Sequence, residues 1–206
     1  MNFTYSPSVT PAVSMAEFRA HLRYPDDVTS EDGDLLLKLS GAIRSIESET
    51  GRVLLTTTAV LTLDGWPAED YIKLPGGQTS SITSVKYTLS TGTQSTWAAS
   101  NYKLVRAYSL TSPTQVIDTQ ARLYKGYQID WPSDTLDTGE PVEVTYVTGF
   151  ADADSVPYPL KAAVLLEAAH LYRHRESTTL NPSTIESKVI ARGVADLIAP
   201  YWIGGF

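Results

Sequence analysis

PYPLKAAVLLEAAHLYRHRE, Pro157 to Glu176, is the stretch on which the fold turns. Pro159 disfavours the α conformation at Tyr158, and a missing N–H costs nothing at the first helical position, so a helix is expected over 159–176. Leu160, Ala162, Ala163, Val164, Leu165, Leu166, Ala168, Ala169 and Leu171 run nearly all the way round its wheel. A helix apolar on every side is a buried central post. Asp152 and Asp154 precede its positive end, and Arg173, His174 and Arg175 stand at its negative end, as the macrodipole favours.

Downstream of Glu176 comes a polar loop, then a short amphipathic turn over Val194–Ala199. Pro200 stops this turn and leaves an aromatic tail, residues 200–206, with Tyr201, Trp202, Ile203 and Phe206. Upstream, from Arg52 to Phe150, the chain is rich in Thr, Val, Tyr and Gly. Strands are expected at Val53–Leu63, Tyr71–Leu74, Ile82–Leu89, Tyr102–Val105, Ala121–Tyr124 and Val142–Val147. Turns fall at Asp64-Gly65 and Pro75-Gly76-Gly77, and Thr91-Gly92 makes a hairpin towards Trp97.

Nearer the N-terminus, Ser14 and Glu17 form a capping box that opens a short helix carrying Met15, Phe18 and Leu22, ended before Pro25. A second helix is expected from Ser30 or Glu31 to about Thr50, with Leu35, Leu36, Leu39, Ile43 and Ile46 on one face and Gly51 at its C′ position. Residues 1–13, with Pro7 and Pro11 and no periodicity, read as an extended arm. The two initial helices are too short to fold alone and need the central helix as partner. The expected fold is therefore α+β: a small α-helical bundle built from both chain ends, 1–51 and 151–206, with an inserted antiparallel β barrel or sandwich over 52–150.

The length of 206 residues and the 42% hydrophobic content suffice for a real core. The net charge of −7 and the lack of any basic block argue against a protein that grips nucleic acid, whose affinity comes from clustered Lys and Arg. An acidic wall would instead repel DNA moving past it. The absence of cysteine excludes disulfides, thiolate metal sites and cysteine nucleophiles. No secretory signal and no apolar run of membrane-spanning length is present, so a soluble chain is expected.

Each candidate site has a plainer reading beside it. His170 and His174 stand at i, i+4 with Glu167 one turn earlier, a spacing open to zinc, but Glu does not directly follow the first His as in metalloproteases. Packing of His170 at a helix interface is the preferred reading. Pro75-Gly76-Gly77-Gln78 lacks the Lys-Ser/Thr of a phosphate loop and is a turn. Asp26, Asp27, Glu31, Asp32 and Asp34 do not match a calcium loop and read as a solvated loop with helix N-terminal charges. Trp66, Trp97 and Trp131 suit either a carbohydrate platform or, more often, hairpin packing. Nothing supplies a nucleophile with its base, so no catalytic residue, metal or cofactor is assigned. The aromatic tail either folds back on its own domain or anchors another protein. Aromatic dominance of binding hot spots favours the anchor.

In order along the chain, the sequence resembles the head–tail connector (adaptor) proteins of tailed bacteriophages and gene transfer agents, in the long form with a β insertion. Met15 to Arg23 is similar to that family's opening helix, and Leu35 to Thr50 followed by Gly51-Arg52 to its second helix and exit. Leu61 to Pro67, Ile72 to Pro75, Ile82 to Val85 and Val144 to Phe150 follow the insertion. Val156-Pro157, Ala169-His170-Leu171-Tyr172, Arg175-Glu176 and Leu197 to Tyr201 complete the pattern. Ala107–Asp118 and Trp202–Phe206 depart from it.

The resemblance implies a structural virion protein without catalysis, assembled in the bacterial cytoplasm. It would form a ring, typically of twelve copies, under the portal and extend the DNA channel. It would contact the next tail component, a stopper or tail terminator, while DNA passes without sequence-specific binding. No membrane is involved. Tyr201, Trp202, Ile203 and Phe206 are then the expected portal-docking residues, with His170, Tyr172, Arg175 and Glu176 as family-pattern helix positions. A carbohydrate- or receptor-binding virion protein using the β segment is the alternative.

Overall fold

Helices at both ends flank a run of strands in the computed structural model, which describes residues 1–6, 8, 10–25, 28–106, 120–174 and 193–203. The order is β1 (Asn2–Tyr5), α1 (Met15–Leu22), α2 (Asp32–Thr50), β2 (Thr57–Leu63), β3 (Tyr71–Leu74), β4 (Thr79–Thr88) and β5 (Gln94–Trp97). Then come β6 (Tyr102–Val105), β7 (Ala121–Lys125), β8 (Val142–Thr148) and α3 (Tyr158–Arg173). A helical turn at residues 193–198 leads into a 3-10 turn at Ala199–Tyr201. The fold is α+β, and its strands form two open antiparallel sheets with no closed barrel.

Local chemistry sets the helix ends. Glu17 N–H donates to the Ser14 hydroxyl at 3.2 Å while Ser14 N–H donates to the Glu17 carboxylate at 2.7 Å, a complete capping box. Gly51 closes α2 in the left-handed region at φ 69°, where a side chain would be strained. α3 begins at Tyr158, one residue before the expected start, with Pro157 as its cap. First-turn N–H groups have no intrahelical partner, so Pro159 fits at the second position too. Packing of Leu160 and Val164 outweighs the local bias at Tyr158. The helix is described to Arg173, capped by His174; Arg175 and Glu176 lie outside the described residues.

No residue from Pro159 to Tyr172 is exposed, in keeping with a central post. Its Leu160, Ala163, Val164 and Ala168 share one buried cluster with Phe18 of α1 and with Leu35, Leu39, Ala42 and Ile46 of α2. The buried side of α2 follows 35, 39, 42 and 46, which leaves the next phase of the wheel in solvent. Leu36, expected on the core face, is therefore 54% exposed, beside Leu37 at 66%. Leu54, Leu55 and Phe150 also belong to the helical cluster. Leu54 and Leu55 are spent on that core and Val53 is buried beside them, so regular strand begins only at Thr57, later than expected.

The sheets run β1-β2-β8-β4-β5 and β3-β7-β6. The extended arm contributes β1, which pairs antiparallel with β2 so that Phe3 lies opposite Leu61. Inward residues of both sheets, among them Leu61, Val85, Val144 and Tyr146 of the larger and Ile72, Leu74 and Leu123 of the smaller, form a second buried cluster. Within it the Tyr146 hydroxyl donates to the Pro75 carbonyl at 2.9 Å. Burial pushes this phenol far above its usual 10.0.

Two outcomes follow from this packing. Leu39→Ala should lower unfolding free energy by about 2–5 kcal/mol in urea titration, whereas Leu37→Ala should stay within about 0.5 kcal/mol. The Tyr146 contribution is present in full below pH 10.0 and is lost as pH rises above it, because the unfolded phenol ionises first. The urea midpoint should therefore fall above that pH, and Tyr146→Phe should flatten the fall.

Candidate docking surface at the C-terminal tail

Glu47 lies one turn beyond Ile43 on α2 and is only 4% exposed. Its carboxylate accepts the Leu54 N–H at 2.8 Å, the Tyr5 hydroxyl at 3.0 Å and a guanidinium N–H of Arg44. Burial first, and then the neighbouring Glu47 charge, raise the pKa of Tyr5. Directly after Gly51 the chain turns into Arg52, 1% exposed, whose Nε donates to the Tyr201 carbonyl. Ile203 N–H donates to the Thr50 carbonyl at 3.0 Å, and Val53 N–H to the Gly76 carbonyl at 3.0 Å. A Cβ on Gly77 would stand 3.2 Å from Arg52 Nη1 and 3.6 Å from Ile203 Cδ1, so this turn, at φ 89°, closes tightly over the same spot. The tail is thus strapped across the junction of α2 with the sheets.

The strap sorts the tail residues. Tyr201, expected in an exposed anchor, is 4% exposed and packs in the helical cluster with Val194 and Ile198, because its carbonyl and ring both find partners at home. Trp202 is 65% exposed and Ile203 half-buried. Phe206 lies outside the described residues. Of Tyr201, Trp202 and Ile203, Trp202 alone is exposed, on a backbone pinned by its neighbours.

The fold is similar to that of chains in gene transfer agent necks. A chain in the neck of an empty gene transfer agent (GTA) particle, computed with C6 symmetry, is 26% identical at a TM-score of 0.77, covering 100% of this chain and 97% of that one. A chain of the native GTA virion is also 26% identical, at 0.74 with the same coverage. A chain in the native GTA neck computed with C12 symmetry is 25% identical at 0.73, again over 100% and 97%. No protein-family model and no curated protein sequence matches the chain.

The other residues singled out by sequence make packing and hydrogen-bond contacts within the chain. His170 and His174 bring their rings to 4.5 Å. Among the described residues no three His, Asp or Glu side chains are placed to hold a metal ion. The Tyr172 hydroxyl donates to Glu31 at 2.7 Å, and its ring meets Tyr24 edge to face. Trp66, Trp97 and Trp131 do come together, with Trp66 and Trp131 stacked at 5.2 Å and Trp97 buried at 5.0 Å from Trp131. They spend ring faces on one another and pack on the sheet core instead of lying in an open row.

Buried charges were the residues that sequence reasoning missed. Besides Glu47 and Arg52 there is Arg19, whose guanidinium donates to the Pro25 and Val28 carbonyls at 2.9 Å each and pairs with Asp32, clasping the loop between α1 and α2. Their signal was phase: each sits beside or one turn from a core residue on its helix, or directly after the helix stop. Trp202→Ala should leave stability within about 0.5 kcal/mol of wild type. Tyr201→Ala should cost about 3 kcal/mol or more, and loss of 201–206 should destabilise the helical core likewise, as urea titration would read.

Proposed function

We propose that this chain is a structural neck component of a gene transfer agent or phage-like virion, acting as the adaptor that joins capsid to tail. The observation that carries the reading is the full-length match to chains in GTA necks, together with the 12-fold and 6-fold symmetry in which those necks were computed. Copies of the chain, twelve in this reading, form a ring under the portal and continue its channel. The outer surfaces of the helical ends make contacts between copies and line the channel, and Trp202 with Ile203 docks on the portal. The β segment faces outward or towards the next tail component, a stopper or tail terminator. The net charge of −7 suits a wall that DNA passes without being held. No helix among the described residues is long and apolar enough to cross a membrane. The role is assembly in the bacterial cytoplasm followed by residence in the particle, with no chemistry performed.

Quantitative mass spectrometry of purified particles tests this. One copy per portal subunit is the expected result; absence from particles, or a stoichiometry typical of a trimeric fibre, overturns it. In particles carrying Trp202→Ala, the amount of this chain bound per portal should fall at least tenfold while the isolated variant remains folded. Undiminished attachment would remove the tail from the docking surface.

A further inference from the structure

One face of this acidic chain has the opposite character. In the three-stranded sheet Ile72, Leu74, Ala121 and Leu123 are buried, so the residues between them face outward. The register sets Tyr71 opposite Tyr124 and Tyr124 opposite Lys103 in one row, and Lys73 opposite Arg122 and Arg122 opposite Val105 in the next. These rows hold cations and aromatic rings with no carboxylate, in a chain where 23 Asp and Glu outnumber 16 Lys and Arg. The Arg122 guanidinium lies 4.7 Å from the centre of the Tyr71 ring and donates to the Tyr124 hydroxyl at 3.3 Å, which holds it flat on the central strand. Lys73 and Lys103 are exposed on the two edge strands. None of the three cations has an ion-pair partner among the described residues. Edge lysines also deter sheet-to-sheet pairing, but that role calls for no ring-stacked arginine on the middle strand.

The complementary surface lies on the same chain. Residues 64–70 and 127–143 contain no Lys or Arg. Trp131 Nε1 donates to the Glu69 carbonyl at 3.0 Å, and Trp131 stacks on Trp66, which joins the two loops into one rim. On that rim Glu69, Asp134 and Asp137 are exposed and lack a cationic partner among the described residues.

We propose that the cationic, tyrosine-bearing face of β3, β7 and β6 in one copy receives the carboxylate rim of Glu69, Asp134 and Asp137 from a second copy, a head-to-tail contact between neighbours. Such an interface uses two different patches and closes into a ring when the rotation allows. The inference rests on the ring reading above and adds, between the β segments of neighbouring copies, a second contact beside the one proposed for the helices. Three cations on a chain of net charge −7 are few for gripping DNA, whereas every copy carries the matching carboxylates.

Sedimentation velocity of the full chain at low and high salt, with charge reversals, is the test. Wild type should self-associate at low salt and dissociate as salt rises. A face variant, Lys73→Glu with Lys103→Glu, and a rim variant, Glu69→Lys with Asp134→Lys and Asp137→Lys, should each weaken association at least tenfold. All these positions are exposed, and circular dichroism should show both variants folded. Mixing the two should restore association, because each then offers the charge the other's reversed patch requires, and copies alternate around an even-numbered ring. Wild type that stays monomeric at low salt, variants that associate like wild type, or a mixture that fails to recover overturns the contact. So does loss of double-stranded DNA binding by the face variant with its self-association intact. A copy number of one per portal subunit alongside any of these would leave the neck reading standing and remove only this interface.

Discussion

Glu47 buries a carboxylate where α2 gives way to the sheets, and the elements on both sides are arranged around its needs. An ion taken out of water is tolerated only when its lone pairs are answered. Here a backbone N–H of Leu54, the phenol of Tyr5 and the guanidinium of Arg44 answer them. The Leu54 bond directs the chain leaving α2 back under the helical core. The Tyr5 bond brings the end of β1 to the same point, which sets where β1 can lie along β2. One side chain thereby links helix, connection and sheet edge. Loss of the Arg44 guanidinium would leave the buried carboxylate without its opposite charge.

Arg52 extends this constraint to the C-terminal end of the described chain. Its bond to the Tyr201 carbonyl, with the bond from Ile203 N–H to Thr50, ties the tail to the stop of α2. The tail backbone is consequently ordered before any partner arrives. An indole on a fixed backbone loses less freedom on binding than one on a free terminus, and it can occupy a pocket at lower entropic cost. That is the physical sense in which the strapped tail suits a docking role. The two buried clusters, one among the helices and one between the sheets, meet at this same junction.

In the proposed ring, neighbouring copies must meet without fusing into open aggregates. The two sheets leave edges at β1, β5, β3 and β6. On the smaller sheet those edges carry exposed lysines, which discourage edge pairing while leaving the face available to opposite charge. The acidic balance elsewhere keeps copies from collapsing on one another through unrelated patches.

Much of the fold was written in local pattern. The capping box at Ser14, the glycine stop at Gly51, the apolar wheel of α3, and the strands Tyr71–Leu74 and Tyr102–Val105 came from spacing and turn chemistry, because these depend on a few neighbouring residues. The α+β class followed from their order. Tertiary structure decided the rest. It turned the N-terminal arm into a strand, placed Leu36 in solvent, drew Leu54 and Leu55 into the helical core and Tyr201 into its own domain, and set three tryptophans from distant loops and strands against one another. It also buried Arg19, Glu47 and Arg52, whose charges read as surface until their partners are known. The reason is one of range. Helix caps and turns are settled by bonds within a few residues, whereas Glu47 needs Tyr5, 42 residues away, and Arg52 needs Tyr201, 149 residues away, and local pattern does not record such partners.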